Sequence, residues 1–231
     1  MDTLLQIGIA VGPVLGYIDQ VRVMRASRSS NGFSMAVCGI LLVSSILRIF
    51  FWLGRHFDNA LLYQSILMIF VQLFLLHLCI QYRTADSIIE HHGLSSGSIP
   101  LIQRFWQWPS LYHYIHFLLA FTMAFLLFHV FFSWSSVYVD FVGVLSLAIE
   151  ATLPLPQIRR NHQRGSTEGF SWAVMTAWAL GDLFKCYYYV HTAAPIQFAV
   201  CGFFQLSADV ILVIQWIKYH GKPASRFNLP M

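Results

Sequence analysis

Charged residues are scarce in this sequence. Asp, Glu, Lys and Arg make up 10% of its 231 residues, whereas a soluble domain typically carries about 25%. Apolar residues make up 57% and the mean hydropathy is +0.62, which excludes a disordered chain. The 14 Lys and Arg residues are too sparse to form a continuous basic face, so we expect no nucleic-acid partner. The composition predicts an integral membrane protein.

Disulfide, metal and catalytic signatures are also lacking. The four cysteines fall in apolar runs without CxxC spacing, which excludes a disulfide framework. The ten histidines form no HExxH or cysteine–histidine set, and no GxSxG, P-loop or GxGxxG pattern occurs. We therefore expect no metal, no cofactor and no enzymatic activity.

Long apolar runs are present instead, and they predict an all-α polytopic fold, because about 20 apolar residues cross a bilayer. The first run is short and contains Pro13. It lacks the basic start of a signal peptide, so we interpret it as a retained span. The seven predicted spans are 4–18, 33–53, 61–80, 114–134, 137–155, 170–190 and 196–217.

Lys and Arg are divided unequally between the two sides of these spans. Eleven lie on one side and only Arg55 lies on the other, while Arg48 and Lys185 fall within spans. Because cytosolic loops are enriched in Lys and Arg, we expect a lumenal amino terminus and a cytosolic carboxyl terminus. The eleven residues are Arg22, Arg25, Arg28, Arg83, Arg104, Arg159, Arg160, Arg164, Lys218, Lys222 and Arg226.

The second half of the chain repeats the first. When Gln20 is placed over Gln157 without a gap, 8 of the 21 pairs between 17–37 and 154–174 are identical. Spans one to three therefore recur as spans five to seven, with span four as a linker. Such parallel repeats place a pathway between the two halves. The predicted segments are a first three-helix repeat (1–82), a cytosolic loop (83–112), a linker helix (113–135), a second three-helix repeat (136–218) and a cytosolic tail (219–231).

Five charges fall inside the predicted spans, namely Arg48, Glu150, Asp182, Lys185 and Asp209. A charge in the bilayer core usually faces a partner or a wet cavity. Asp182 and Lys185 are three residues apart, which predicts an ion pair. Arg48 then needs Glu150 or Asp209 as a partner, and one carboxylate is left over. These groups are expected to line a pathway, where the spare carboxylate could bind a proton, or to form a static network between helices.

Uncharged polar and aromatic residues add two expectations. Gln64 falls on Gln197 after a four-residue shift of the repeat, so both are pathway candidates, although such side chains often only join helices. An aromatic cluster precedes span four and is expected to lie at the level of the lipid headgroups. Its members are Phe105, Trp106, Trp108, Tyr112 and Tyr114.

Several motifs resemble the PQ-loop family of seven-helix membrane proteins, whose three-plus-one-plus-three plan is shared with SWEET sugar transporters. Leu155-Pro156-Gln157 and Ser166–Ser171 are similar to the family motif, whereas Asp19-Gln20 departs from it. Three further stretches, Leu47–Arg55, Phe105–Trp108 and Gly181–Lys185, resemble a branch of PQ-loop repeat-containing proteins with fungal members.

The resemblance implies a role in phospholipid movement between leaflets and in endosome-to-Golgi retrograde traffic. It also implies a location at endosomes and the trans-Golgi network, and membrane lipids, including a phospholipid substrate, as partners. A proton-coupled carrier of a small solute such as an amino acid is the first alternative. A sorting receptor or adaptor that transports nothing is the second. The oligomeric state stays open.

The Pro-Gln dipeptide predicts a hinge. Pro156, next to Gln157, has no amide hydrogen and therefore removes a backbone hydrogen bond near the end of span five. Asp19, next to Gln20, cannot do this in the first half, where Pro13 is the candidate for a kink. We expect the two halves to bend unequally. The alternative is that Pro156 only ends its span.

Overall fold

The structure, a computed structural model, describes residues 2–28, 35–82, 106, 108, 110–165, 167 and 172–219. Eight α-helices account for most of these residues, and no strand occurs in the described part. The helices are α1 (Asp2–Ser27), α2 (Met35–Gly54), α3 (Asn59–Gln81), α4 (Leu111–Phe132), α5 (Ser136–Ala151), α6 (Leu155–Arg164), α7 (Trp172–His191) and α8 (Ile196–Tyr219). The predicted tail beyond Tyr219 and most of the predicted loop 83–112 lie outside the described residues.

The helices pack as two similar groups of three. In the first group α3 contacts both α1 and α2, and in the second group α8 contacts both α5 and α7. The two groups contact each other along two pairs of helices: α2 packs against α5, and α1 packs against α7. Helix α4 packs mainly against α2 and α3, touches Tyr138 of α5 near its end, and leaves most of its apolar surface exposed. The contacts within the two groups are therefore alike, and the plan of two repeats joined by a linker helix stays a prediction.

Short connections lie together at one end of the bundle. They are residues 55–58, 133–135 and 192–195, and we call this end the short-loop end. Polar side chains begin the helices there: Asp58 accepts a hydrogen bond from the amide of Ala60 at 2.9 Å, and Ser135 caps α5. Such caps satisfy amides that have no partner within the helix.

The repeat keeps one register through its second and third helices. In the ungapped alignment, the last residue of α2 falls on the last residue of α7, and the first residue of α3 falls on the first residue of α8. The four-residue shift that aligns Gln64 with Gln197 is therefore wrong, and Gln72 corresponds to Asp209 instead. This shift is close to one helical turn, so it returns apolar residues to the same face and is hard to detect in the sequence.

The first helix of each group differs in continuity. Helix α1 runs unbroken for 26 residues and contains Pro13, so the predicted end at residue 18 is wrong. The corresponding stretch of the second half breaks at 152–154 into α5 and the short helix α6. Pro154 and Pro156 explain the break, because neither can donate the backbone hydrogen bond that would continue the helix.

Five described helices are long and apolar enough to cross a membrane, namely α1, α2, α3, α4 and α8. Helix α5 has 16 residues, about 24 Å, which is shorter than the hydrocarbon core of a typical bilayer. Helix α7 has 20 residues but carries Asp182 and Lys185. The protein is an all-helical membrane protein, and the plan with seven spans stays a prediction.

The aromatic cluster before α4 packs inward. Tyr114 and Trp106 are buried, and the Tyr114 hydroxyl accepts a hydrogen bond from the Trp108 amide at 2.9 Å and lies 3.1 Å from the Trp106 carbonyl. The Trp106 ring covers Gly39, where a Cβ atom would come within 2.7 Å of it. Trp106 and Tyr114 therefore face α2 and not lipid, and they fix the chain before α4 onto α2; whether they lie at the depth of the headgroups stays a prediction.

Candidate functional site

A charged cluster lies between the two halves of the bundle. Arg48 of α2 forms an ion pair with Glu150 of α5. Lys185 of α7 lies 2.9 Å from Asp182 on its own helix and 3.6 Å from Glu150. The structure thus brings together four predicted residues from three helices, and Glu150 is the partner that Arg48 required.

Asp209 of α8 is the carboxylate left over. It is buried, and neither of its oxygen atoms has a hydrogen-bond partner among the described residues. Its charged neighbours are Asp182 and Lys185. With Asp209, the cluster holds three carboxylates and two cations, so it carries a surplus of acid between the halves.

The cluster is buried at a cost that its geometry partly offsets. The Arg48 side chain is 3% exposed and that of Lys185 is 13% exposed. Removing such charges from water costs several kcal/mol per ion unless a partner is well placed. The guanidinium of Arg48 gains a second contact from the Phe198 ring, 5.9 Å away. Lys185 and Glu150 keep a small exposed fraction, whereas Arg48 is almost completely enclosed.

The two halves contribute unequally to the cluster. In the ungapped alignment of the repeat, Arg48 corresponds to Lys185, so each half supplies one cation at the same depth. The three carboxylates all come from the second half. Their counterparts in the first half are uncharged, namely Pro13 for Glu150, Ser45 for Asp182 and Gln72 for Asp209.

The two glutamine candidates lie in different places. Gln197 donates a hydrogen bond to Asp140 at 2.8 Å near the short-loop end, where Arg55 also contacts Asp140 at 2.5 Å. Gln64 is buried in α3, and its side-chain oxygen has no partner among the described residues. No contact that we observe joins either glutamine to the charged cluster.

The hinge candidates occupy unlike positions. Pro156 lies in the first turn of α6, where an amide hydrogen would have no partner within the helix. The preceding helix, α5, ends at Ala151, about one turn before Pro156. Gln157 donates a hydrogen bond to Asn161 at 2.8 Å. Asp19 and Gln20 lie within the continuous α1, as does Pro13. Whether these residues act as hinges stays a prediction.

The seams where the two groups meet are also unequal. Between α2 and α5, Gly143 faces the Phe51 ring and Gly54 faces Val139, and a Cβ atom would come within 2.7 Å and 2.6 Å of them respectively. Ser146 donates a hydrogen bond to the Ser44 carbonyl at 2.8 Å. The α2–α5 seam is therefore closed.

The α1–α7 seam is looser. Gly8 faces the Phe184 ring, but a Cβ atom at Gly12, Gly16 or Gly181 would have no neighbour within 4 Å. Their counterparts in the repeat are Ile149, Leu153 and Ser44, respectively. Gly12, Gly16 and Gly181 are exposed, so no side chain covers the surface along this seam at positions where larger residues stand in the other half.

The open part of this seam lies beside the charged cluster. Residues three and four apart share a face of a helix. On α7, Gly181 lies one turn from Lys185, which belongs to the cluster, and from Phe184, which contacts α1 at Gly8. Gly181 is exposed, so the surface at this glycine lies one turn from the cluster.

A polar pair at the short-loop end was not predicted. Asp58 accepts a hydrogen bond from the Tyr188 hydroxyl at 2.6 Å, which joins the start of α3 to α7. In the sequence Asp58 only precedes an apolar run, as any helix cap does. Its partner belongs to the other half of the chain, and no local pattern reveals such a contact.

These features define an integral membrane protein whose helices enclose a charged cluster between two similar halves. Residues 138–198 match the family model of the PQ loop repeat. They lie in the half that keeps the Pro-Gln dipeptide. The chain is also similar to Scramblase ANY1 of Saccharomyces cerevisiae, at 25% identity over 279 aligned positions that cover 91% of this chain and 69% of the yeast protein. Both matches confirm the resemblance predicted from the motifs.

Proposed function

We propose that this protein moves phospholipids between the two leaflets of a membrane without consuming an energy source, as a scramblase. The similarity to a yeast scramblase supports this proposal. Under this proposal the chain has seven spans, arranged as two three-helix repeats and a linker helix. The protein is then a translocator and not an enzyme. A role in endosome-to-Golgi retrograde traffic and a location at endosomes and the trans-Golgi network are parts of the same proposal.

The observation that carries the proposal is the loose α1–α7 seam beside a charged cluster. A phospholipid that crosses a bilayer needs a polar route for its headgroup and an opening to lipid for its acyl chains. The glycines of α1 and Gly181 leave the opening, and Lys185 with Asp182 supplies polar groups next to it. A carrier of water-soluble solutes has no need of an opening toward lipid.

The orientation proposed for the chain places its short-loop end in the lumen. Among the described basic residues, Arg55 lies at this end, and Arg22, Arg25 and Lys218 lie near the opposite ends of their helices. This distribution agrees with the enrichment of Lys and Arg on the cytosolic side of membrane proteins.

The test is reconstitution of the full chain into liposomes that contain a phospholipid labelled on its acyl chain with a fluorophore that dithionite bleaches. We expect bleaching to proceed beyond the outer leaflet, because labelled lipid from the inner leaflet reaches the reagent. Bleaching that stops at the level of protein-free vesicles would exclude a scramblase. Leakage is controlled by a soluble fluorophore trapped inside the same liposomes.

Asp209 favours a second candidate, a proton-coupled carrier of a small solute such as an amino acid. A buried carboxylate without a partner is able to bind a proton. Uptake of labelled amino acids driven by a pH gradient, and lost in Asp209→Asn, would support this function. Uptake with the same pH dependence in Asp209→Asn would exclude the role of Asp209. The absence of both uptake and scrambling would favour a sorting receptor or adaptor.

A further inference from the structure

Two adjoining cavities open at the short-loop end. The larger, of about 580 Å³, lies between α1 and α3, and the smaller, of about 290 Å³, lies between α1 and α7. Gln6 and Asp58 line both of them. A carboxylate and an amide therefore stand where the two spaces meet.

Asp58 is held in place from two sides. One carboxylate oxygen accepts the Ala60 amide, and the other accepts the Tyr188 hydroxyl. Asp58 forms no ion pair with any described residue, and Arg55, three residues away, contacts Asp140. A fixed carboxylate that lines a cavity without a cationic partner is suited to bind a cation from outside the chain.

The larger cavity changes character along its length. Asp58, Asn59 and Gln6 lie toward the short-loop end, whereas Ala10 and Val11 of α1 lie about one turn deeper. Phe57 and Tyr63 also line it, and aromatic faces attract ammonium groups. A lining that is acidic and aromatic at the membrane boundary and apolar further in matches an amphiphile with a cationic head.

We propose that these cavities bind the ammonium group of a phospholipid headgroup, of the ethanolamine, serine or choline type, against the Asp58 carboxylate. The proposal rests on the proposed function and names its substrate class. Tyr188, which holds Asp58, lies on α7 three residues from Lys185 and six from Asp182. The cavities are therefore one to two turns from the charged cluster, and the contact between Gly8 and Phe184 lies between them and the looser part of the α1–α7 seam.

The main test compares the scrambling of two lipids by the wild type and by Asp58→Asn. Phosphatidylethanolamine carries an amine and phosphatidylglycerol does not, and both are labelled on an acyl chain so that the headgroup stays free. Asparagine is as good a helix cap as aspartate, so the variant removes the charge and keeps α3 intact. Asp140→Asn is the matched control, because Asp140 lies at the same end but does not line either cavity.

We expect the wild type to scramble the amine lipid faster than phosphatidylglycerol. Asp58→Asn should lower the ratio of the amine-lipid rate to the phosphatidylglycerol rate by about threefold, which is the factor that the loss of one exposed ammonium contact corresponds to. Asp140→Asn should leave the ratio unchanged. Equal rates for both lipids in the wild type, or an unchanged ratio in Asp58→Asn, would overturn the proposal while the scramblase function stands.

A binding measurement separates the two proposals if no lipid is scrambled. The thermal unfolding of the purified full chain is recorded with dihexanoyl-phosphatidylethanolamine or with dihexanoyl-phosphatidylglycerol at the same submicellar concentration. A larger stabilisation by the amine lipid, absent in Asp58→Asn, would support the ammonium site even though scrambling failed. Equal stabilisation by the two lipids would overturn it.

Discussion

The two halves of this molecule share one architecture and differ in what they contribute to it. The first half has a continuous first helix, α1, with glycines that leave space against α7. The second half breaks the corresponding stretch into α5 and α6, and α5 packs tightly against α2. All three carboxylates of the charged cluster come from the second half.

This difference teaches how a repeated fold becomes asymmetric. Two equal halves would have two equivalent seams, either both closed or both open. Here one seam is filled by Phe51, Val139 and their neighbours, and the other is left open by glycine. The closed seam holds the halves together, and the loosely packed one leaves the exposed Gly181 one turn from the charged cluster.

The largest expected effect concerns the two equivalent cations. Arg48→Met leaves Glu150 with only Lys185, 3.6 Å away, and removing one member of a buried ion pair typically costs about 3–5 kcal/mol. Lys185→Met should cost less, because the Lys185 side chain is more exposed than that of Arg48. Thermal unfolding in detergent measures both. The double variant Arg48→Met with Glu150→Gln should recover part of the loss, and equal losses in the two single variants would contradict this comparison.

The next effect concerns the first helix of each half. Asp19→Pro places a proline inside the continuous α1 and should destabilise the protein by about 3 kcal/mol. Pro156→Ala changes a residue in the first turn of α6, where no hydrogen bond is lost, and should alter the stability by less than about 1 kcal/mol. A large loss in Pro156→Ala would show that this proline constrains more than the end of a span.

The two seams predict opposite effects for one substitution. Gly143→Ala pushes a methyl group against the Phe51 ring, and overpacking of this kind costs about 1–3 kcal/mol. Gly16→Ala enters open space within a helix and should raise the stability by up to about 1 kcal/mol. Chemical or thermal unfolding measures the change in stability of each variant relative to the wild type. Equal destabilisation would mean that the α1–α7 seam is as closed as the other.

The smallest effect concerns the ion pair at the short-loop end. The side chains of Arg55 and Asp140 are 54% and 42% exposed, and exposed pairs contribute about 1 kcal/mol or less. Arg55→Ala should therefore lower the unfolding temperature far less than Arg48→Met. A loss comparable with that of Arg48→Met would show that this end clamps the two halves together.

Much of the fold could be predicted from the sequence. Long apolar runs indicate helices, and the spacing of Asp182 and Lys185 indicates their ion pair, because both depend on local geometry. The scarcity of charge also limits the partners available to Arg48. These inferences need no knowledge of how distant helices meet.

The rest depends on contacts between distant parts of the chain. A slip of about one helical turn keeps a helix face the same, so the sequence could not determine the register of Gln64 against Gln197. Trp106 and Tyr114 look like headgroup anchors until Gly39 is seen to leave room for an indole ring. The looseness of the α1–α7 seam could not be predicted either, because the sequence does not show that the glycines of α1 lie on the side of the helix that approaches α7.

The central claim is that lipid headgroups pass through the α1–α7 seam, and filling that seam tests it most directly. The scrambling rate is measured for Gly181→Leu, whose new side chain enters a space with no neighbour within 4 Å of its Cβ atom, and for Ala148→Leu, which adds the same bulk at an exposed position of α5. We expect Gly181→Leu to keep the unfolding temperature of the wild type but to scramble at least tenfold more slowly, and Ala148→Leu to scramble normally. A stable Gly181→Leu variant that scrambles at the rate of the wild type would contradict the account.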